Sequence, residues 1–366
     1  MDVRGCGQSG QCHYTFAEPD RLLSLRDNPV MMFRPGLVRV VLSAFAAVSA
    51  VLAQAPISSI HVLPWNGYKG AVSLTFDDGE PVHLDVAVPE LNQRHLRATF
   101  FLIVNRLPRP EEWKKVAAEG HEIGSHSLDH KHISELSPAD EIQQVQEARA
   151  RLQTGLSVPA LAFAYPFVEI SPGLKAAVGK FHFLARGGGG PPYLKPDAQP
   201  DWLNIPSQIT LTATPLAVYQ GWIDTALKDG AWTVFMIHSI ENPQPWYEPV
   251  PKATFLGLLD HLAQRRQEGL WVAPFGEVGA YWQAQKSFEA GLAAVTGTRS
   301  GHYTWAIPAI FPRGVVLKVR LEGEGPWKVS QGAEVLHPDA DGIYSVAFDL
   351  KELSVSTASS GAAPRN

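Results

Sequence analysis

Ala71-Val72-Ser73-Leu74-Thr75-Phe76-Asp77-Asp78-Gly79 is the stretch around which this chain is organised. Its apolar and β-prone residues read as a short strand covered on both faces. The strand ends in two adjacent carboxylates and a glycine, and acids at the end of a buried strand are costly unless a cationic group meets them there. About fifty residues on, His126-Ser127-Leu128-Asp129-His130 supplies imidazoles at i and i+4, a spacing that puts both on one side of a helical turn. Two histidines and one aspartate suffice to hold a divalent metal and leave positions open for water and substrate. Singly, Asp-Asp-Gly is common in turns, and an isolated H-x-x-x-H is more often a helix surface than a metal site. On successive strand ends the two features reinforce each other.

Outward from this stretch, strands are expected over 98–103, 122–125, 160–164, 183–185, 232–237 and 270–273. They alternate with helices around 86–95, 110–120, 138–154, from 171, 215–228, 252–268 and 277–284. Such alternation implies a parallel sheet with helices outside it. The conspicuous polar residues (Asp77, Asp78, His126, Tyr165, Arg186 and His238) all fall just after strands. A closed β/α barrel brings those ends to one face, where active sites lie; an open doubly wound sheet would gather only some of them. From about 287 the helical period is lost, and short alternating runs between Gly, Pro and Asp turns suggest a small all-β, sandwich-like domain over 287–356, with a polar tail at 357–366.

The chain has 366 residues, 45% hydrophobic and 10% aromatic, enough for a large core, and a formal net charge of −5 that gives no basic footprint for nucleic acid. Met31-Met32-Phe33-Arg34-Pro35 opens a basic and then apolar run that closes on Ala53-Gln54-Ala55. This has the form of a secretory signal peptide over 31–55, cleaved near Ala55, and is too short for a comfortable membrane span. Residues 1–30 then read as a doubtful extension, and the start as Met31 or Met32. Cys6 and Cys12, the only cysteines, lie in that extension, so the exported product carries neither disulfides nor thiolate ligands.

Thr75-Phe76-Asp77-Asp78-Gly79 resembles the first motif of the polysaccharide deacetylases, carbohydrate esterase family four, and His126-Ser127-Leu128-Asp129-His130 resembles the second. Ala98-Thr99-Phe100-Phe101, His121-Glu122-Ile123-Gly124-Ser125 and Phe235-Met236-Ile237-His238 agree with the same family, over residues 69–283. The resemblance implies an α/β fold, a distorted (β/α)7-like barrel over 66–285. It implies that Asp78, His126 and His130 bind the metal, that Asp77 is the general base and His238 the general acid, and that the backbone N–H of Phe167 helps hold the oxyanion. The family's third motif often carries an arginine two residues before the proline, where this chain has Ala164; Arg186, at the next strand end, is the replacement expected to orient Asp77. Asp201-Trp202 matches the family's acid-supporting Asp-Trp pair only loosely. Tyr165, Arg186 and Trp246 are the candidates for facing substrate, Trp246 within a proline-rich stretch, 242–250, that follows His238.

The chemistry is consistent with these roles. A divalent metal polarises an acyl carbonyl and acidifies its water, a carboxylate takes the proton, and a histidine titrating near neutrality protonates the leaving group. The ligand set suits Zn²⁺ first, with Co²⁺, Ni²⁺, Mn²⁺ or Fe²⁺ also compatible. The expected partner is an acetylated oligo- or polysaccharide, with no nucleic acid and no stable membrane span after cleavage of the leader. Two alternatives stay open on sequence alone: a hydrolase of a non-sugar, non-peptide C–N bond on the same barrel, and a catalytically silent carbohydrate-binding protein.

Overall fold

The computed structural model describes residues 59–188, 190–241, 247–293, 301–323 and 325–357. The expected leader, both cysteines and Trp246 lie outside them. Among the described residues no helix is long and apolar enough to cross a membrane.

The strands of the first part are β1 (Ser59–Val62), β2 (Gly70–Phe76), β3 (Thr99–Leu102), β4 (Glu122–Ser125), β5 (Ala162–Ala164), β6 (Leu184–Arg186), β7 (Gln208–Ile209), β8 (Trp232–Ile237), β9 (Ser239–Ile240), β10 (Pro249–Val250) and β11 (Leu270–Val272). The helices are α1 (Val88–Gln93), α2 (Pro110–Ala118), α3 (Pro138–Leu156), α4 (Pro172–Phe181), α5 (Leu216–Asp229), α6 (Lys252–Gln267) and α7 (Phe275–Ala293). β2 is buried along its whole length, as its unbroken apolar pattern demands. One edge pairs in parallel with β8, from Ala71 opposite Trp232 to Phe76 opposite Ile237. The other edge is shared: its first half pairs with β11 and its second half with β3. Gly70 allows this crowding at the strand's start, since a Cβ there would lie 2.4 Å from the carbonyl oxygen of Ala226.

β3, β4, β5 and β6 continue the sheet, all parallel. The segment 205–209 joins the two edges. Arg186 of β6 bridges to Ile205, whose backbone exchanges hydrogen bonds with Ala185 and Gly187, and Gln208–Ile209 pairs with Phe235 and Met236 of β8. The parallel sheet therefore curls round into the (β/α) barrel expected from the strand-helix rhythm, and every strand end that carries a conspicuous polar residue points to one rim.

Between β2 and α1 the chain makes a π-helical turn, His83–Ala87. Pro89 lies at the start of α1 and has no N–H for the carbonyl of Asp85, so a wider turn relieves the clash an α-helix would have there.

β12 (Gly301–Thr304), β13 (Val316–Glu322), β14 (Trp327–Gln331), β15 (Glu334–Leu336), β16 (Ile343–Ala347) and β17 (Glu352–Thr357) follow. They form two antiparallel sheets, a three-stranded one in the order β1-β13-β16 and a four-stranded one in the order β12-β17-β14-β15. β1, which precedes the barrel in sequence, thus supplies an edge strand to the later sheets. α7 continues well past the 277–284 expected for it, because Phe288 on its later turns is fully buried. Trp282 on the same helix packs on Trp65 and Trp232 at 5.4 and 6.1 Å. One continuous core runs from these rings to Trp305, Leu317, Val346 and Phe348 of the β sheets.

Candidate active site

The end of β2 is held by its own ladder. The N–H of Asp77 still donates to Ile237 at 2.9 Å, so its side chain, 2% exposed, is delivered to the barrel rim. Asp78 and Gly79 both take left-handed backbone, φ 74°, a conformation Asp tolerates better than most residues. The chain turns out of the barrel there and leaves the second carboxylate beside the first.

The end of β4 brings the two imidazoles, though not on a helical turn as their spacing suggested. Residues 126–130 are loop, with Ser127 and His130 in left-handed backbone. The turn is closed by the His130 N–H donating to Ser127 Oγ at 2.9 Å. Gln144 of α3 pins it from outside: its amide donates to Asp129 Oδ2 and accepts from the Asp129 N–H, each at 2.9 Å. His126 Nδ1–H donates to the carbonyl of Ala164 at 2.8 Å, which leaves Nε2 as a bare lone pair facing the acids.

His126 Nε2 and His130 Nε2 each lie 3.6 Å from Asp78 Oδ1, and the three ligand atoms fall within 4.8 Å of one another. Asp78 Oδ1 is buried and has no hydrogen-bond partner among the described residues. Burial, then the charge of Asp77, pushes the Asp78 carboxyl up to about 7. Burial holds His126 down at about 3 and lowers His130 as well, so both rings are neutral at neutral pH, the form that ligates metal. Three lone pairs converging without a proton between them fit a divalent cation. Its charge would also reverse the penalty on Asp78.

Asp77 is handled differently. Burial would raise its pKa, but the charges of Arg186, His126 and His238 together prevail and hold it below the usual carboxylate value. Arg186, at the end of β6 and 1% exposed, donates from Nη2 to Asp77 Oδ2 at 2.5 Å. Its guanidinium lies over the Phe101 ring at 5.5 Å. Asp77 Oδ1 has no partner among the described residues, and His238 Nε2 stands 3.8 Å from Oδ2. Burial lowers the pKa of His238.

The residues expected to face substrate are placed unequally. Arg186 is taken up by Asp77 beneath the rim. Tyr165 is turned into the wall, its hydroxyl donating to the carbonyl of Leu203 at 3.0 Å and its ring 5.2 Å from Phe163. Trp246 is outside the described residues, but its neighbour Tyr247 is exposed and packs edge-on against His238 at 4.9 Å. Phe167 is 47% exposed in left-handed backbone. Its ring meets His130 at 4.4 Å and stacks on His132 at 3.6 Å. Asp201 pairs with Lys175, and Trp202 packs on Trp282, so neither reaches His238. Two residues without a role on sequence grounds do hold that histidine or its neighbour. His83 touches the carbonyl of His238, and Glu80 accepts from Ser239. Their only sequence signal is a position just after Asp-Asp-Gly.

Residues 66–183 match the family model described as polysaccharide deacetylase. The match holds Asp77, Asp78, His126 and His130, and stops short of Arg186 and His238. A gellan lyase from a Bacillus species is 27% identical over 58% of this chain and 9% of its own length. A chitin deacetylase from Colletotrichum lindemuthianum is 36% identical over 23% of this chain and 37% of its own length. The chain therefore spans less than half of either relative. A family 4 acetyl xylan esterase from Clostridium thermocellum, solved with a cobalt ion, superposes at TM-score 0.41 and 23% identity over 57% of this chain and 89% of that one.

Proposed function

We propose that this chain is an exported, metal-dependent hydrolase that removes N-acetyl or O-acetyl groups from a carbohydrate, a reading supported by the match of residues 66–183 to the polysaccharide deacetylase model. The observation that carries the reading is the convergence of Asp78 Oδ1, His126 Nε2 and His130 Nε2 beside a second, separately held carboxylate, Asp77. The first three would hold a divalent cation, Zn²⁺ by preference of the donor set. When bound, it supplies Lewis acidity at the acyl oxygen and acidifies water.

Asp77 takes the proton of the attacking water on Oδ1, the oxygen without a partner, while Arg186 on Oδ2 keeps the carboxylate ionised and aimed. His238 delivers a proton to the departing amine. The proton that Asp77 took from water passes to His238, whose ring faces the same carboxyl group, so both return to their starting states. The backbone N–H of Phe167 serves the oxyanion. The exposed rings of Phe167 and Tyr247, on either side of these groups, suit the apolar face of a pyranose.

The reading is tested by acetate release from acetylated chitooligosaccharide, peptidoglycan and xylan by enzyme loaded with Zn²⁺ or Co²⁺. Activity is expected on at least one of them and is expected to collapse in Asp77→Asn and Asp78→Ala. Activity unchanged in both variants would sink the assignment. Export is tested by N-terminal sequencing of the secreted product, with a new terminus expected just after Ala55.

A further inference from the structure

His238 lacks the side-chain support that a proton donor usually has. Its Nδ1 is buried without a hydrogen-bond partner among the described residues, and its Nε2 faces Asp77. Asp201 cannot orient the ring, because its carboxylate is engaged by Lys175 and by the N–H of Leu203. The main chain at this point is gripped instead. His83 Nε2–H donates to the carbonyl of His238 at 2.7 Å. The next residue, Ser239, donates its hydroxyl to Glu80 Oε2 at 2.8 Å.

Both gripping residues come from Glu80-Pro81-Val82-His83, directly after Asp77-Asp78-Gly79. They are buried, at 6% and 0% exposure, and each keeps a polar atom without a partner among the described residues, Glu80 Oε1 and His83 Nδ1. A core position chosen only for packing would avoid that cost. His83 also opens the π-helical turn, a geometry that is rare and concentrated at functional sites. The grip extends one step further. Ser239 and Ile240 pair with Pro249 and Val250, which fastens the base of the stretch that sets Tyr247 against the His238 ring.

We propose that Glu80 and His83 are positioning residues that clamp the His238-Ser239 segment, His83 through the His238 carbonyl and Glu80 through the Ser239 hydroxyl, and so lock the proton donor onto the same short segment that carries the proton acceptor. The inference rests on the deacetylase reading above and adds to it a second use for the segment after Asp-Asp-Gly. Burial keeps His83 uncharged, at about 4, so the ring has one proton, and the His238 carbonyl holds it on Nε2.

The experiment compares metal-loaded wild type with His83→Phe, His83→Gln, Glu80→Ala and Glu80→Gln on an acetylated chitooligosaccharide. His83→Phe and Glu80→Ala are expected to lose about 10- to 100-fold in kcat, the scale of a small misplacement of a reacting group, with KM and bound metal per chain unchanged. The two Gln variants, which keep a donor and an acceptor, are expected to recover most of the loss. Wild-type kcat in His83→Phe and Glu80→Ala would overturn the clamp. So would an equal loss in the Gln variants, or a loss that tracks metal content. If wild type itself releases no acetate from any substrate, the deacetylase reading fails, and the clamp is then judged by the imidazole NMR signals of His238. They are expected to move in His83→Phe and to stay put in His83→Gln; signals unmoved in both overturn it.

Discussion

The two halves of the site are built on different scales. The half that faces the metal is local. Five consecutive residues, 126–130, supply both imidazoles and the turn that aims them, and Asp78 meets them from the end of β2, across β3. The half that handles protons is assembled from distant pieces: Asp77 on β2, Arg186 on β6, and His238 on β8 with its grip from residues 80–83. On the closing side of the barrel, β6 and β8 are joined through the segment 205–209. Barrel closure therefore bears on proton transfer, whereas metal binding depends mainly on one loop and its props.

The sharpest way to break this division is to substitute the adjacent acids separately. Asp78→Ala is expected to lose the metal and with it at least about 10³-fold in activity, the several kcal/mol that a Lewis acid contributes. Asp77→Asn is expected to keep the metal and to lose about 10²- to 10⁴-fold, the range for a general base. Bound metal per chain by elemental analysis separates the two. Equal metal loss in both would mean that the halves are not independent.

Arg186→Gln tests the far-flung half alone. The Arg186 charge helps hold the Asp77 pKa below its usual value against the opposing effect of burial. Without it the folded-state pKa rises, and the base is active only when ionised. The acid limb of the kcat–pH profile is thus expected to move to higher pH, with metal affinity unchanged. Breaking one side of a pair that is 1% and 2% exposed is also expected to cost about 3–5 kcal/mol of stability, read by urea unfolding. An acid limb that stays in place would show that Arg186 does not set the base.

The same contrast of scale explains what could be read from the sequence. The local half was legible because its signal is contiguous: Asp-Asp-Gly at the end of an apolar run, and two histidines four apart. Even there the spacing suggested a helical turn, because i and i+4 share a helix face, while left-handed Ser127 and His130 achieve the same convergence in a loop. The barrel was legible from strand–helix alternation, but its closure was not. Ile205 and the two-residue β7 are too short to show a period, and they pair only because β6 and β8 have already been brought near. Arg186 could be suspected as the partner of Asp77 from the missing arginine at Ala164, but the contact between them depends on a closure that leaves no pattern in sequence. Glu80 and His83 gave no signal of their own, since hydrogen bonds to a hydroxyl 159 and a carbonyl 155 residues away leave no pattern in sequence.

A smaller effect is expected on the local half from Gln144→Ala. Gln144 is buried; it holds Asp129, and through it the turn that delivers His130. Groups one step behind metal ligands typically contribute about 10- to 100-fold in affinity, and Asn105 still holds the other Asp129 oxygen at 2.5 Å. A loss of about tenfold in metal affinity is expected, read by competition with a chromophoric chelator, with kcat at saturating metal preserved.

The smallest effect is expected from Ser207→Ala, in the closing segment. Its hydroxyl donates to the carbonyl of Gly187 at 2.8 Å and accepts from Arg186 Nη1 at 3.3 Å, so it links closure to the residue that aims Asp77. The bond to Gly187 is short, whereas that to Arg186 is long, and a typical net hydrogen bond contributes about 1 kcal/mol. Arg186 would keep its closer contact with Asp77. The expected loss in kcat is at most about fivefold, with no change in metal affinity. A change in metal affinity instead, with kcat intact, would mean that barrel closure acts on the ligand loop and that the two halves are coupled through the sheet.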